Sequence, residues 1–141
     1  MPEVVYNGKI DGEFEGFDDD VLFKMKNGTY WIQANYRYWY HYAYCPDVTL
    51  TKENGQYILT VAGNSVLVRR ITDVIESRIA GDFKGWDGEI SYKLQNGQHW
   101  QQRTYKYEYK YAYMPDAIIY ATSSGYKMRV AGTTADVRRL R

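Results

Sequence analysis

The chain has 141 residues, and its apolar content of 45% is enough for a packed core in one ordinary domain or two very small ones. Lysine and arginine total 18 against 17 acidic residues, so net charge excludes a general attraction to nucleic acid, anionic membranes or acidic partners. No basic stretch followed by an apolar one opens the sequence, and no apolar window has the length of a bilayer span. We therefore expect a cytoplasmic protein without membrane association.

An internal repeat organises the chain. The sequence aligns with itself at an offset of 69 residues without a gap, and identical residues recur along the whole alignment. They include Gly12 with Gly81, Phe14 with Phe83, Gly16 with Gly85, Trp31 with Trp100 and Gln33 with Gln102. Such a match indicates a duplication. We predict two domains, residues 1–72 and 73–141, with no linker between them.

The first half of each copy alternates apolar and polar residues with the period of a strand. In copy one, residues 14–17 lead past an acidic turn, Asp18 to Asp20, into a strand at 21–25. Asn27-Gly28 then predicts a tight hairpin with both residues at positive φ. A run of alternating tyrosines follows, and Pro46 ends it because proline cannot donate to a central ladder.

The second half of each copy continues as short strands. Residues 48–51, 57–61 and 66–71 alternate, and they are separated by turns at Asn54-Gly55 and Ala62-Gly63. About six strands per copy and no helix are expected. The sequence therefore predicts an all-β fold, a tandem duplication of a small antiparallel barrel with long tyrosine-rich strands and a pseudo-twofold relation between copies.

The tyrosine run is the longest feature shared by the copies. Alternation is unbroken over residues 30–44 and 99–113, and such a strand would extend about 50 Å at roughly 3.3 Å per residue. Since this exceeds a small barrel, the strand has to bend, coil around the barrel or project as a ribbon. Asn35 and Thr104 are the candidate bends. The tyrosines are Tyr36, Tyr38, Tyr40, Tyr42 and Tyr44 in copy one, and Tyr105, Tyr107, Tyr109, Tyr111 and Tyr113 in copy two.

Alternation puts the five tyrosines of a run on one face of the strand. The opposite face carries Arg37, Trp39 and His41 in copy one and Lys106, Glu108 and Lys110 in copy two. Buried hydroxyls need partners, whereas a fully solvated face needs no aromatics, so we interpret the face as one with buried rings and wet hydroxyls. It would be a groove floor, an interface between copies or an interface between chains. The pattern also fits two tyrosine ribbons paired with each other across the pseudo-twofold axis.

Two motif sets carry family resemblances. Gly12-x-Phe14-x-Gly16-Phe17-Asp18 is similar to the first Sm motif, and each copy resembles a small SH3-like or Sm-like barrel. The second Sm motif has glycine after arginine, whereas this chain has Arg69-Arg70-Ile71, so no RNA-binding residues are carried over. The set Gly81-x-Phe83-x-Gly85-Trp86, Asn96-Gly97-x-x-Trp100-x-Gln102 and the tyrosine run resembles a family of small bacterial all-β proteins that implies no activity.

Polar side chains offer few candidate sites. A platform for single-stranded nucleic acid combines aromatic rings with basic groups, but here the lysines lie on the face opposite the tyrosines. Nucleic acid is therefore a weaker expectation than a protein ligand. The candidate basic patch consists of Arg69, Arg70, Arg138 and Arg139. Doubled arginines near a strand end are also typical of a solvated face.

Residues for catalysis or metal binding are few. His41 and His99 are not equivalent in the repeat, and copy two keeps only part of the acidic turn. Cys45 corresponds to Met114, which indicates an apolar position. Trp31 and its repeat partner are predicted core residues, each with a glutamine capping the rim. We expect no enzymatic activity, no cofactor and no metal.

Taken together, the sequence favours a binding or scaffold module whose tyrosine-lined sheet surface engages a peptide, a glycan or another protein. The alternative is a structural protein that self-assembles through the tyrosine face into a homo-oligomer. Binding of nucleic acid through the arginine pairs is a third, weaker reading.

Overall fold

The computed structural model describes residues 2–88 and 90–140, and it confirms the all-β class with antiparallel sheets. The chain divides into two compact units, Met1–Thr72 (unit 1) and Asp73–Arg141 (unit 2). The described residues form no helix, so none is long and apolar enough to cross a bilayer.

Unit 1 contains eight strands. They are β1 (Glu3–Lys9), β2 (Glu13–Phe17), β3 (Leu22–Lys24), β4 (Tyr30–Gln33), β5 (Trp39–Tyr44), β6 (Asp47–Glu53), β7 (Gln56–Val61) and β8 (Asn64–Ile71). A six-stranded sheet has the order β1-β6-β7-β8-β4-β3, and β2 pairs with β5 in a two-stranded ribbon. The expectation of about six strands is wrong because β1 was missed and the tyrosine run is split into β4 and β5.

Unit 2 repeats this arrangement. Its strands are β9 (Val74–Arg78), β10 (Asp82–Asp87), β11 (Ser91–Lys93), β12 (His99–Gln102), β13 (Tyr107–Tyr113), β14 (Asp116–Thr122), β15 (Gly125–Val130) and β16 (Thr133–Leu140). The six-stranded sheet has the order β11-β12-β16-β15-β14-β9, and β10 pairs with β13. Each ribbon continues at a corner into the larger sheet, because β1 runs on into β2 and β5 into β6.

Single bridges link the two outer strands of each six-stranded sheet. In unit 1, Ile10 bridges Met25 beyond the ends of β1 and β3. The Asp11 N–H donates to Lys24 O at 2.8 Å, and the Lys26 N–H donates to Lys9 O at 2.9 Å. Ile79 and Leu94 form the same bridge in unit 2.

Each unit has its own aromatic-rich core. Unit 1 buries Phe14, Phe17, Phe23 and Trp31, and unit 2 buries Phe83, Trp86, Tyr92 and Trp100. Both tryptophans of the predicted core positions are buried, as expected. Alternation along the strands places these rings inside and polar residues outside.

The turns follow the sequence in part. Asn54-Gly55 and Ala62-Gly63 have positive φ at both residues, as two-residue hairpins require. The expectation is wrong at Asn27-Gly28, where only Gly28 has positive φ. The Asn27 side chain instead accepts a hydrogen bond from the Thr29 N–H at 3.0 Å, which closes a three-residue turn.

Candidate functional site

The tyrosine run bends before its strand begins. The chain leaves strand geometry over residues 34–38 and 103–106, and it bends at Asn35 and Thr104, as the sequence predicted. The run is therefore a short strand in the six-stranded sheet, a bend, and a second strand in the ribbon. This resolves the conflict between fifteen alternating residues and a small core.

A buried glutamine fixes the bend in unit 1. Gln33 is 2% exposed, and its Oε1 accepts the Asp18 N–H at 3.0 Å. Its Nε2 donates to Asn35 O at 2.9 Å and Arg37 O at 3.2 Å, and also to Asp18 O. One amide thus joins the acidic turn to the segment that enters β5. The predicted role as a rim cap is wrong, because the side chain is buried and binds backbone on both sides.

Gln102 does the same in unit 2. Its Oε1 accepts the Gly88 N–H at 2.9 Å, and its Nε2 donates to Thr104 O at 3.0 Å and Lys106 O at 2.9 Å. Because a buried amide has to satisfy its donors and acceptor, this contact restricts the position of the bend. Both copies therefore present the following tyrosines from a fixed starting point.

A glycine of β2 approaches the tyrosine strand closely beside a β-bulge. Phe14 pairs with Ala43 and Gly16 pairs with Tyr40, so the extra residue of the bulge lies in β5. Gly16 has φ of +99°, and a Cβ there would lie 1.9 Å from the Trp39 carbonyl oxygen. Gly85 has the same φ and the same distance to the Glu108 oxygen. Only glycine permits this approach, and the resulting kink turns both Phe14 and Phe17 into the core.

All ten tyrosines lie at the surface. Exposure ranges from 52% at Tyr42 to 77% at Tyr105. The expectation of buried rings is therefore wrong within each unit, because the inward positions of the strand are taken by Trp39 and Ala43 in unit 1, whereas an interface between copies or between chains stays a prediction. Each unit thus exposes a row of five aromatic rings that packing within the unit does not explain.

The fourth tyrosine of each row is oriented by a carboxylate. The Tyr42 hydroxyl donates to Glu13 Oε1 at 3.4 Å, and the Tyr111 hydroxyl donates to Asp82 Oδ1 at 3.0 Å. The negative charge of Glu13 raises the pKa of Tyr42. The hydrogen bond to Asp82, and then its charge, raise the pKa of Tyr111. Both hydroxyls therefore stay protonated through the neutral range and act as donors to their carboxylates.

The tyrosine strands do not pair with each other. β5 pairs with β2, and β13 pairs with β10. The alternative of two mutually paired tyrosine ribbons is therefore wrong. Within the described ranges, β5 and β13 each have a ladder along one edge only. Such an edge leaves backbone donors and acceptors available to another strand.

Beneath the tyrosines of unit 1 lies an aromatic stack. Trp39 packs against Phe17 with ring centroids 5.1 Å apart, and His41 stacks on Trp39 at 5.0 Å with an interplanar angle of 6°. The Arg37 guanidinium lies 5.8 Å from the Phe17 ring, and it donates to Ser65 O and to Asn64 Oδ1 at 3.2 Å. Arg37 and His41 are thus held on the protein rather than arranged for a ligand.

The same positions in unit 2 form a polar network. The Trp86 indole N–H donates to Thr133 Oγ1 at 3.1 Å, and that hydroxyl donates to Glu108 Oε1 at 2.8 Å. Lys106 Nζ lies 3.5 Å from Glu108 Oε1 and donates to Thr134 O at 2.7 Å. Lys106 is therefore occupied by protein acceptors and is not part of an open phosphate track.

The four predicted arginines are all exposed but differ in their partners. Arg138 Nε donates to Gln101 Oε1 at 3.0 Å in unit 2. Arg69 and Arg70 line a groove in unit 1, and neither side chain forms a hydrogen bond or ion pair with the described residues. The candidate basic patch is thus one open pair in unit 1 and one partly engaged pair in unit 2.

The remaining candidates have structural positions. Cys45 has positive φ at the corner between β5 and β6, where its N–H donates to Gly12 O at 2.8 Å and its Sγ accepts the Gly12 N–H at 3.3 Å. Among residues 2–88 and 90–140, no three metal-binding side chains come together. The second copy of the acidic turn includes Glu89, which lies outside the described residues.

Sequence reasoning missed three features of this surface: the glutamine contacts to the bend, the glycine approach to the tyrosine strand, and the carboxylates that orient Tyr42 and Tyr111. The first two had a signal, since Gln33 and Gly16 are identical in the second copy. The carboxylates that orient the tyrosines had a weaker sequence signal, because Glu13 and its repeat partner Asp82 are both acidic but not identical.

Comparison of the chain with protein-family models, with characterised proteins and with solved structures finds no match. The geometry of the tyrosine rows therefore has to support any functional assignment by itself.

Proposed function

We propose that the protein is a non-enzymatic binding module whose tyrosine rows engage an extended segment of another protein. One observation carries the proposal: all ten tyrosines are exposed, and they recur at equivalent positions in both units. Tyrosine suits such a surface because its rigid ring offers a large contact area at small entropic cost, and its hydroxyl remains hydrated.

The contrast between the two sides of the tyrosine strand supports an external role. All five tyrosines are identical between copies, whereas the interleaved Arg37, Trp39 and His41 are Lys106, Glu108 and Lys110 in the second copy. If the tyrosines served only packing inside the unit, they would be expected to change with the side chains beneath them. A shared partner outside the unit explains why they do not.

Geometry favours an extended polypeptide over other partners. Tyrosines two residues apart on a strand repeat every 6.6 Å or so, which is also the repeat of same-side residues in an extended partner. The open edge of β5 or β13 supplies backbone groups that a partner strand can pair with. The bend fixed by Gln33 and the close approach of Gly16 to β5 keep the surface preorganised, which lowers the entropic cost of binding. A glycan is the alternative ligand that aromatic rings also suit.

The proposed architecture of each unit is a small SH3-like barrel. Its support is the bridge between Ile10 and Met25, with two flanking backbone hydrogen bonds that join the outer strands β1 and β3. A closed arrangement would leave the ribbon of β2 and β5 as the place where an edge stays open. The tyrosine strand would then be the natural docking edge.

Self-assembly is the second candidate, and the open edges favour it. A second copy of β5 or β13 would satisfy the same backbone groups and stack tyrosines on tyrosines. A net charge of +1 opposes such association very little. Light scattering over a range of concentrations separates the two: a strict monomer removes self-assembly as a function of the surface.

A displayed library of extended peptides, followed by titration of the best binder, tests the proposal. Replacing Tyr38, Tyr40, Tyr107 and Tyr109 with serine should weaken binding at least tenfold, whereas phenylalanine at these positions should keep most of the affinity. Circular dichroism checks that both variants retain the fold. If the serine variant binds every selected peptide as the wild type does, the tyrosine rows are not the binding surface.

A further inference from the structure

A groove of about 430 Å³ opens in unit 1, away from the tyrosine strand. It lies beside β7, β8 and the residue that follows β4. The residues that line it include Ala34, Tyr57, Leu67, Val68, Arg69 and Arg70. An apolar floor with a few convergent polar groups is the usual composition of a small-ligand site.

The corresponding place in unit 2 is filled by charged side chains. Ala34 and Leu67 of the groove are Arg103 and Asp136 in the second copy, and the same backbone bond, N–H to O at 2.8 Å, joins each pair. Arg103 Nη2 lies 3.8 Å from Asp136 Oδ1, and Lys127 Nζ lies 3.3 Å from that oxygen. A Cβ on Gly125 would lie only 3.0 Å from the Arg103 guanidinium, so this side chain covers the start of β15.

The groove of unit 1 carries uncompensated positive charge. Among the described residues, Arg69 and Arg70 form no ion pair, and no carboxylate lines the groove. Lys52 Nζ lies 5.5 Å from the centroid of the Tyr57 ring. In unit 2 the equivalent tyrosine, Tyr126, donates to Asp73 Oδ2 at 3.2 Å, so an acid sits where unit 1 has Val4.

We propose that this groove binds a small carboxylate with an apolar body, such as an arylacetate. Leu67 and Arg69 are two residues apart on β8, so their side chains share one face of the sheet, whereas Val68 is 4% exposed and packs in the core. The Arg69 guanidinium holds the carboxylate, since a guanidinium presents parallel N–H donors that match the two oxygens. The body lies against Ala34 and Leu67, where burial of apolar surface adds affinity. None of the ten tyrosines contributes to this site, so the groove proposal can be tested independently of the peptide-binding surface.

The test is an NMR titration of the full chain with phenylacetate. Amide shifts should change around Ala34, Tyr57 and residues 67–70, and they should saturate at millimolar ligand. The matched neutral probe, phenylacetamide, should bind at least tenfold more weakly, a difference of about 1.4 kcal/mol. Acetate, which lacks the apolar body, should also bind more weakly than phenylacetate.

Two variants of the groove and one control complete the test. The double variant Arg69→Gln with Arg70→Gln should raise the dissociation constant at least tenfold, and Ala34→Arg with Leu67→Asp, which installs the pair of unit 2, should abolish saturation. The control, Arg138→Gln with Arg139→Gln, should change affinity less than twofold. Equal binding of phenylacetate and phenylacetamide, shifts located elsewhere, or no shifts at millimolar ligand would overturn the proposal.

Discussion

The two units carry the same tyrosine row over different chemistry. In unit 1, Trp39 fills the space beneath the strand and packs on Phe17. In unit 2, the large ring moves to the neighbouring strand as Trp86, and Glu108 takes the place of the tryptophan in a hydrogen-bonded network. The large indole ring thus sits on β5 in unit 1 and on β10 in unit 2, while the five tyrosines of the outer face are identical. The side chains of the inner face therefore change together with the packing beneath the strand, and the identical outer face is the basis of the proposed binding role.

The largest expected effect comes from a feature that the units share. Gly16→Ala should destabilise unit 1 by more than about 4 kcal/mol, because the new Cβ would meet the backbone oxygen of Trp39 in a strained conformation. Gly85→Ala should do the same to unit 2 alone. Urea unfolding, with NMR signals assigned to each unit, measures which unit is lost.

Gly12 provides the control for this substitution. It has φ of +100°, but a Cβ there meets nothing within 4 Å. Gly12→Ala should therefore cost only about 1–2 kcal/mol for the backbone strain. An equal loss for the two alanine variants would show that close approach is not what requires glycine in β2.

The exchange of aromatic and polar packing can be tested by a double-mutant cycle in unit 1. Phe17→Trp should cost about 1–3 kcal/mol by overpacking, and Trp39→Glu about 3 kcal/mol by loss of apolar burial. Together they copy unit 2, so their combined cost should fall below the sum by at least about 1 kcal/mol. Additive costs in urea unfolding would mean that the two positions do not compensate each other.

Replacing the bend glutamine should lower the free energy of unfolding less than replacing Gly16 does, and the effect should be similar in both units. Gln33→Ala leaves part-buried backbone groups at Asp18 and Asn35 without their side-chain partner, which should destabilise unit 1 by about 1–3 kcal/mol. Hydrogen exchange of residues 34–40 should speed up beyond the global change. If exchange of this segment stays at the wild-type rate, the bend is held by something other than the amide.

The smallest effect concerns alkaline pH and separates the units. Burial, and then the charge of Asp87, raise the pKa of Tyr92, whose hydroxyl donates to Gly85 O at 2.6 Å. Below pH about 10, tyrosine is protonated in both the folded and the unfolded chain, and its contribution is intact. Above this pH the unfolded tyrosine ionises first, so the stability of unit 2 should fall as pH rises.

Unit 1 has Phe23 at the position of Tyr92, so this group gives it no such dependence. Tyr92→Phe should cost about 1 kcal/mol at neutral pH for the lost hydrogen bond, yet it should flatten the fall in urea midpoint between mildly and strongly alkaline buffers. A midpoint that falls equally in the wild type and the variant would assign the alkaline loss to other residues.

The sequence by itself determined the repeat, the strand period, the bend at Asn35 and Thr104, and the grouping of the tyrosines on one face. These are local properties, since alternation fixes which side chains share a face and turn residues fix where a strand ends. The same reasoning failed at Asn27, because a three-residue turn and a two-residue turn can share the Asn-Gly pair.

Tertiary structure alone decided whether the tyrosine face lies inside or outside and which strand pairs with it. A period of two assigns faces but gives no partner, and the positive φ at Gly16 decides that both Phe14 and Phe17 turn inward. The core is then filled by these rings and Trp39, which leaves Tyr38, Tyr40 and their equivalents exposed. Exposure of the tyrosines depends on how much volume the core has to fill and on which distant strands pair. A local sequence pattern encodes neither of these.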